Sequence, residues 1–162
     1  MADKEVIKKT ISWYKERKDL YNQLAQKVES VIKNRLEEKD IIFHSIENRV
    51  KSIESLKRKS KKSKYKDPIN EITDLAGIRI ITLFEKDVYE ISDIIKKIFR
   101  IDYSNSEDKS DLLEADKMGY KSVHYVAYFK KNLLDKEEFN KFKGLKFEIQ
   151  IRSILQNAWA KI

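Results

Sequence analysis

In the stretch KFEIQIRS, near the end of the chain, Glu148, Gln150 and Arg152 fall on every second position. In an extended segment an acid, an amide and a guanidinium therefore share one face, and Phe147, Ile149 and Ile151 take the other. A second acid, Asp74, stands just ahead of the branched and aromatic run from Ile78 to Phe84. If the two segments are neighbouring strands, both carboxylates converge on one hard cation such as Mg²⁺, which takes oxygen ligands and keeps several waters. Read singly, each acid is equally an ordinary carboxylate near a strand end.

A cluster of anion-binding residues lies upstream, in NRVKSIESLKRK. Arg49 and Lys51 flank Val50 and share a face if the segment is extended. Ser52 is a helix N-cap candidate, with Glu54 in the first turn, where the helix dipole favours an acid. Ser55 and Lys59 are four apart on the helix that follows, so a strand-to-helix turn gathers Arg49, Lys51, Ser55 and Lys59 around one anion. Acids for a metal and cations for phosphates are together the equipment of phosphoryl or nucleotidyl transfer.

Other chemistries find little to work with. Three glycines leave no phosphate-cradling glycine loop. With two histidines and no cysteine, a zinc site or a Cys-His nucleophile pair is close to excluded. His44, at an expected helix start, reads as a surface residue. His124 follows Tyr120 by four residues on an alternating strand and is harder to set aside.

Positioning these groups requires a mixed fold. The chain has 162 residues, 41% hydrophobic and 38% charged, enough for one globular domain with a real core. Residues 4 to about 37 contain neither Gly nor Pro, and Leu20, Leu24, Val28, Val31 and Leu36 recur at helical spacing, predicting one long amphipathic helix or two. Trp13 and Tyr14 read as part of its packing. Strands are expected at Ile78–Phe84, around Val123–Phe129 and at Leu145–Arg152. Helices are expected over 87–99 and from Ser153 onward, a short helix or a hairpin excursion over Leu133–Phe142, and a polar loop over 101–118.

Charge and composition set the expected surroundings. The formal net charge of +8 favours polyanions, whether nucleoside triphosphates, RNA or acidic lipid. The basic run from Lys57 to Lys66 reads as a solvated loop, a flap over a triphosphate or an RNA contact, and the sequence does not rank them. The lack of cysteine, of a signal-like start and of any apolar stretch near ~20 residues leads us to expect a cytoplasmic chain without a membrane span. The closing apolar helix-former run reads as the edge of a longer protein.

Taken in order, NRVKSIESLKRK, DLAGIRI, GYKSVHYVAY and FEIQIRSILQNAWAKI resemble the synthetase domain of the RelA/SpoT family, over roughly residues 46–162. The resemblance implies an α+β fold: a nucleotidyltransferase-like mixed β-sheet flanked by helices, with residues 1–45 as an N-terminal helical region packed on a 46–162 core. It implies Mg²⁺-dependent transfer of pyrophosphate from ATP to the 3′-hydroxyl of GDP or GTP, making the alarmone (p)ppGpp. In this reading Asp74 and Glu148 bind the metal, and Glu148 also helps deprotonate the hydroxyl. Arg49 and Arg79 clamp adenine, while Lys51, Ser55 and Lys59 hold phosphates. Tyr120 stacks on guanine, with Lys121, His124, Gln150 and Arg152 on the acceptor side.

Two alternatives stay open beside it. A toxin-like relative would pyrophosphorylate the 3′ end of tRNA, and an inactive nucleotide- or RNA-binding module would keep the fold without turnover. Contact with tRNA or the ribosome through residues 57–66, and homo-oligomerisation, are the partner expectations. Departures from the family pattern bear on the acceptor: Asp116 and Met118 stand where a lysine and an asparagine are usual, and Asn157 where a histidine is common. The His-Asp metal motif of the family's hydrolases is not found in the sequence, so no hydrolase activity is expected.

Overall fold

The N-terminal stretch free of glycine and proline gives a single helix over Lys4–Glu38, α1, and not a pair. Asp3 caps its start, accepting from the Glu5 amide at 2.9 Å. Its end is marked by Asp40, whose φ of 54° lies in the left-handed region that Asp tolerates better than most residues. The helix follows the expected period, but its buried stripe is richer in aromatics than Leu20 and Val31 suggest. Thr10, Tyr14, Tyr21, Leu24, Ala25, Val28, Ile32 and Leu36 are the buried members, and Leu20 and Val31 are only partly covered. Trp13 packs against Tyr21 at 6.1 Å, so the Trp13–Tyr14 pair serves packing.

The structure is a computed structural model and describes residues 3–62, 64–108 and 122–160. After α1 come β1 (Ser45–Val50), α2 (Ile53–Ser60), the one-turn α3 (Pro68–Glu71), β2 (Ala76–Thr82) and α4 (Glu85–Ile98). Then follow β3 (Phe99–Ile101), a 3₁₀ turn (Tyr103–Asn105) and β4 (Glu107–Asp108). The chain continues with β5 (Val123–Phe129), α5 (Lys131–Leu134), a second 3₁₀ turn (Asn140–Phe142), β6 (Phe147–Ser153) and α6 (Ile154–Ala160). Two expectations are corrected. His44 precedes a strand, its amide bonded to the Ile81 carbonyl at 2.8 Å, and starts no helix. The described part of the polar 101–118 segment carries β4, which pairs with β5 through Glu107–His124. The first part of the basic run, Lys57 to Ser60, is helical.

The sheet runs β1-β2-β6-β5-β3, with β4 paired to β5 off this path. All its pairings are antiparallel except β2 with β6. A parallel neighbour requires a crossover, and α4 supplies one on the way from β2. Alternation then sorts the side chains. Ile78 and Ile80 of β2, Phe147, Ile149 and Ile151 of β6, and Val123, Tyr125 and Ala127 of β5 line one face. These residues join the buried sides of α1 and α4 in one core. Phe99, Phe129 and Phe147 extend it, with Phe99 and Phe147 meeting edge-on at 5.2 Å. The opposite face receives Arg49, Arg79, Glu148, Gln150, Arg152 and His124. Among the described residues, no helix is long and apolar enough to cross a membrane.

Tyr14 ties α1 to the turn between β1 and α2. It is fully buried, and its hydroxyl donates to the Lys51 carbonyl at 2.7 Å. Burial raises its pKa beyond the ordinary tyrosine range, with Tyr21 and Asp74 adding to the effect, so it stays a neutral donor. Tyr14→Phe leaves that carbonyl short of a partner and is expected to lower unfolding free energy by about 1 kcal/mol in urea titration. An unchanged midpoint would show that the bond carries nothing.

Candidate active site

The polar face is built by register. Glu148 sits beside Gly77 and Gln150 beside Arg79 across the parallel β2–β6 pair. Across the antiparallel β1–β2 pair, Arg49 faces Gly77 and Glu47 faces Arg79. Gly77 keeps the floor low between them; a methyl there would touch Arg49 Cγ and the Glu148 carbonyl, each at 3.9 Å. A cleft over this floor is lined by Glu47, Arg49, Asp74, Gly77, Arg79, Glu148 and Gln150, together with Asn48 and Ile78. The acid, amide and guanidinium of the KFEIQIRS stretch thus lie on one face, and its first two members enter the cleft. Arg152 is on the same face, opposite Ile81, outside the cleft lining.

Asp74 ends the segment leading into β2 and points into the same cleft as Glu148. It is held by two ammonium groups. Lys51 Nζ donates to Oδ2 at 2.8 Å, and Lys59 Nζ stands 3.0 Å from Oδ1. All three side chains are largely buried, at 12% exposure for Lys51, 15% for Asp74 and 23% for Lys59. Burial disfavours the Asp74 charge, but the two lysines outweigh it and hold its carboxyl below the usual range. Lys59 is perturbed the other way: burial lowers its pKa and Asp74 more than restores it, so the ammonium persists beyond its ordinary range.

Glu148 belongs to a chain of polar contacts that crosses three strands. Arg79 Nε donates to Gln150 Oε1 at 3.4 Å, and Gln150 Nε2 donates to Glu148 Oε1 at 3.3 Å. His124 Nδ1 faces the same Glu148 oxygen at 3.6 Å. Burial and the neighbouring Asp74 push the Glu148 carboxyl up, and the His124 ring and Gln150 amide pull it below its ordinary value. It is therefore ionised at neutral pH and oriented by residues on β5 and β6.

Of the expected anion cluster, the turn gathers Arg49, Lys51 and Ser55, while Lys59 turns to Asp74. Ser52 caps α2, accepting from the Ser55 amide at 3.1 Å. A cavity of about 250 Å³ lies at this turn, lined by Arg49, Val50, Lys51, Ser52, Ser55 and Asp74. The Ser55 hydroxyl is engaged locally, accepting from Arg58 Nη2 at 3.1 Å. The cleft between Arg49 and Arg79 encloses only about 40 Å³. That is room for a few waters, well below the ~300 Å³ of a small-molecule pocket, so a purine base would have to move these side chains apart.

Of the residues expected from sequence, Arg49, Asp74, Arg79, Glu148 and Gln150 share the cleft, with Lys51, Ser55, Lys59 and His124 bordering it. Tyr120 and Lys121 lie outside the described residues, as do Asp116 and Met118. Glu47 and Tyr14 were not anticipated. The alternation of β1 that singles out Arg49 equally places Glu47 on its face, whereas nothing in the sequence joins Tyr14 to Lys51. As a test of fit for a divalent cation, two carboxylates on one cleft match the hard-oxygen donor set that Mg²⁺ takes beside waters and phosphate oxygens. Among the described residues no group of three or more His, Cys, Asp or Glu could hold a metal, so Asp74 and Glu148 are the pair that the described part of the cleft would offer it.

Comparison with known proteins follows the same outline. A family model described as "Region found in RelA / SpoT proteins" matches residues 48–162. GTP pyrophosphokinase YwaC of Bacillus subtilis (strain 168) is 33% identical over 119 residues, covering 71% of this chain and 53% of its own length. The chain thus spans about half of that relative. The small alarmone synthetase 2 from Bacillus subtilis superposes with a TM-score of 0.71 at 26% identity, over 91% of this chain and 76% of that one. A GTP pyrophosphokinase family protein from Streptococcus pneumoniae does so with a TM-score of 0.69 at 28% identity, over 93% and 73%.

The lowered Asp74 carboxyl has a consequence for stability. A group that releases its proton more readily folded than unfolded adds stability above its unfolded pKa, about 3.9 for Asp, and loses it as pH falls through the folded value. Asp74→Asn is expected to cost about 2 kcal/mol at pH 7, since two buried lysines lose their counter-charge. The gap from the parent should close as pH falls below about 4 in urea titrations. A gap that is the same at pH 7 and pH 3 would mean the ion pairs do not set it.

Proposed function

The chain belongs to the RelA/SpoT family, and from that membership we propose that it transfers pyrophosphate from ATP to the 3′-hydroxyl of GDP or GTP. The products are (p)ppGpp and AMP. The observation that carries this reading is the convergence of Asp74, Glu148, Arg49 and Arg79 on one cleft. Ionised acids, planar cations and a neighbouring lysine-lined cavity are the groups that such a transfer needs.

In the reaction, the acceptor's 3′ oxygen bonds to the β-phosphorus of ATP, the bond from that phosphorus to the α-phosphate oxygen breaks, and AMP leaves. Glu148 takes up the proton of the attacking hydroxyl. It suits the role because it is ionised, and because Gln150 and His124 both engage its Oε1 and so orient the carboxylate. Asp74 and Glu148 would hold Mg²⁺, whose charge, when bound, favours the build-up of negative charge on phosphoryl oxygens. Arg49 and Arg79, from adjacent strands, present guanidinium planes to the adenine. Lys51 and Ser55 line the cavity where the phosphates would lie, and Lys59 reaches Asp74 at its edge. Acceptor contacts fall to His124 and Gln150, with Arg152 further along the face.

Incubation with ATP, GDP or GTP and Mg²⁺, followed by nucleotide chromatography, should yield a guanosine product phosphorylated at the 3′ position and AMP in equal amounts. AMP without a guanosine product would rule out this acceptor. Glu148→Gln should lower turnover by at least ~10²-fold, the typical contribution of a positioned base, and leave the Kd for a non-hydrolysable ATP analogue, measured without a divalent metal, within about threefold. A near-normal rate in that variant would remove Glu148 from the chemistry.

A further inference from the structure

Asp74 cannot serve a divalent cation while both of its oxygens face ammonium groups at 2.8 and 3.0 Å. The surroundings deepen the conflict. The cleft and the ion-pair cluster bring four cations, Arg49, Lys51, Lys59 and Arg79, against three acids, Glu47, Asp74 and Glu148. A divalent ion arriving alone meets a region of net positive charge, and repulsion is strongest around the largely buried Lys51, Asp74 and Lys59. The lysines, for their part, have somewhere to go. Lys51 lines the 250 Å³ cavity together with Asp74, Ser52 and Ser55, so the ammonium can turn from the carboxylate to an anion in that cavity without any change of backbone. Lys59 reaches Asp74 from the last turn of α2, the helix whose first turn borders the same cavity.

We propose that Lys51 and Lys59 form an exchange latch: they occupy Asp74 in the free protein and release it to the metal only when a triphosphate takes them over. The site thereby acquires its metal together with the nucleotide and excludes the bare ion. The latch rests on the reading of the cleft as a metal–triphosphate site. It assigns the two lysines a second role beyond holding phosphates. A triphosphate supplies the negative charge that the cluster lacks, and each ammonium trades one oxyanion for another at little cost in hydrogen bonding. The exchange is reciprocal, so the metal must tighten nucleotide binding by the same factor as the nucleotide tightens metal binding.

The test uses Mn²⁺ in place of Mg²⁺, with free ion counted by electron paramagnetic resonance. The parent protein alone should bind Mn²⁺ at least tenfold more weakly than Lys59→Met or Lys51→Met alone. Asp74→Asn introduced into either variant should abolish the gain. Each variant leaves one lysine on Asp74, and thermal melts verify that it is folded. A non-hydrolysable ATP analogue should draw Mn²⁺ onto the parent protein more tightly than onto the analogue by itself. Equal Mn²⁺ affinity in parent and lysine variants would overturn the latch even if the analogue binds. Failure of the analogue to bind, with the lysine variants still gaining Mn²⁺, would overturn the nucleotide reading and leave the blocking of Asp74 intact. For a variant that does not fold, the parent decides: ready binding of Mn²⁺ without nucleotide also contradicts the latch.

Discussion

The parallel pairing of β2 with β6 is the constraint on which the site depends. It puts Glu148 beside Gly77 and Gln150 beside Arg79, two strands that are 71 residues apart at this last pair. Because side chains alternate with period two, a slip of one residue would send Glu148 and Gln150 into the core and bring Ile149 out. The slip is opposed by the core itself. Ile149, Ile151 and Phe147 are fully buried, and exposing any of them forfeits about 2 kcal/mol of burial. The hydrophobic face thus fixes the register, and the register aligns the polar one.

Around that frame the electrostatics are arranged unequally. Glu148, itself largely buried, receives its support from the Gln150 amide on β6 and the His124 ring on β5. Asp74 is clamped by two buried lysines from the turn and helix after β1. The turn that carries Lys51 is itself anchored, since its carbonyl accepts from Tyr14 on α1 and its amide donates to the Leu75 carbonyl. The long N-terminal helix therefore does more than cover the sheet. It holds the backbone from which Lys51 reaches its partner.

Much of this was legible in the sequence, for identifiable reasons. Alternation, strict in β6 and broken at Val126 in β5, exposes both strands, and residues 87–99 show α4 by their 3.6-residue period, with Val88, Ile91, Ile95 and Ile98 buried as that period requires. Ser52 marks the start of α2 as a cap, and the cap is present. What local patterns could not supply is pairing. That β6 runs parallel to β2 follows from long-range topology, and the sequence left even the adjacency of the two strands as a condition. The two lysines on Asp74 were likewise invisible, because residues 51, 59 and 74 lie far apart in sequence and their spacing spells a phosphate site as readily as an ion-pair cluster. His44 was misplaced for a simpler reason: the short link after α1 carries no turn signal that separates a strand start from a helix start.

The central claim is that Asp74 and Glu148 serve one metal ion within one nucleotide site. A double-mutant cycle in Mn²⁺ affinity, measured with a bound ATP analogue on the parent, Asp74→Asn, Glu148→Gln and the double variant, addresses it most directly. If both acids ligate the same ion, the losses are coupled, and the double variant binds little worse than the weaker single one. Losses that simply add, or a Glu148→Gln variant with undiminished affinity, would contradict a shared metal.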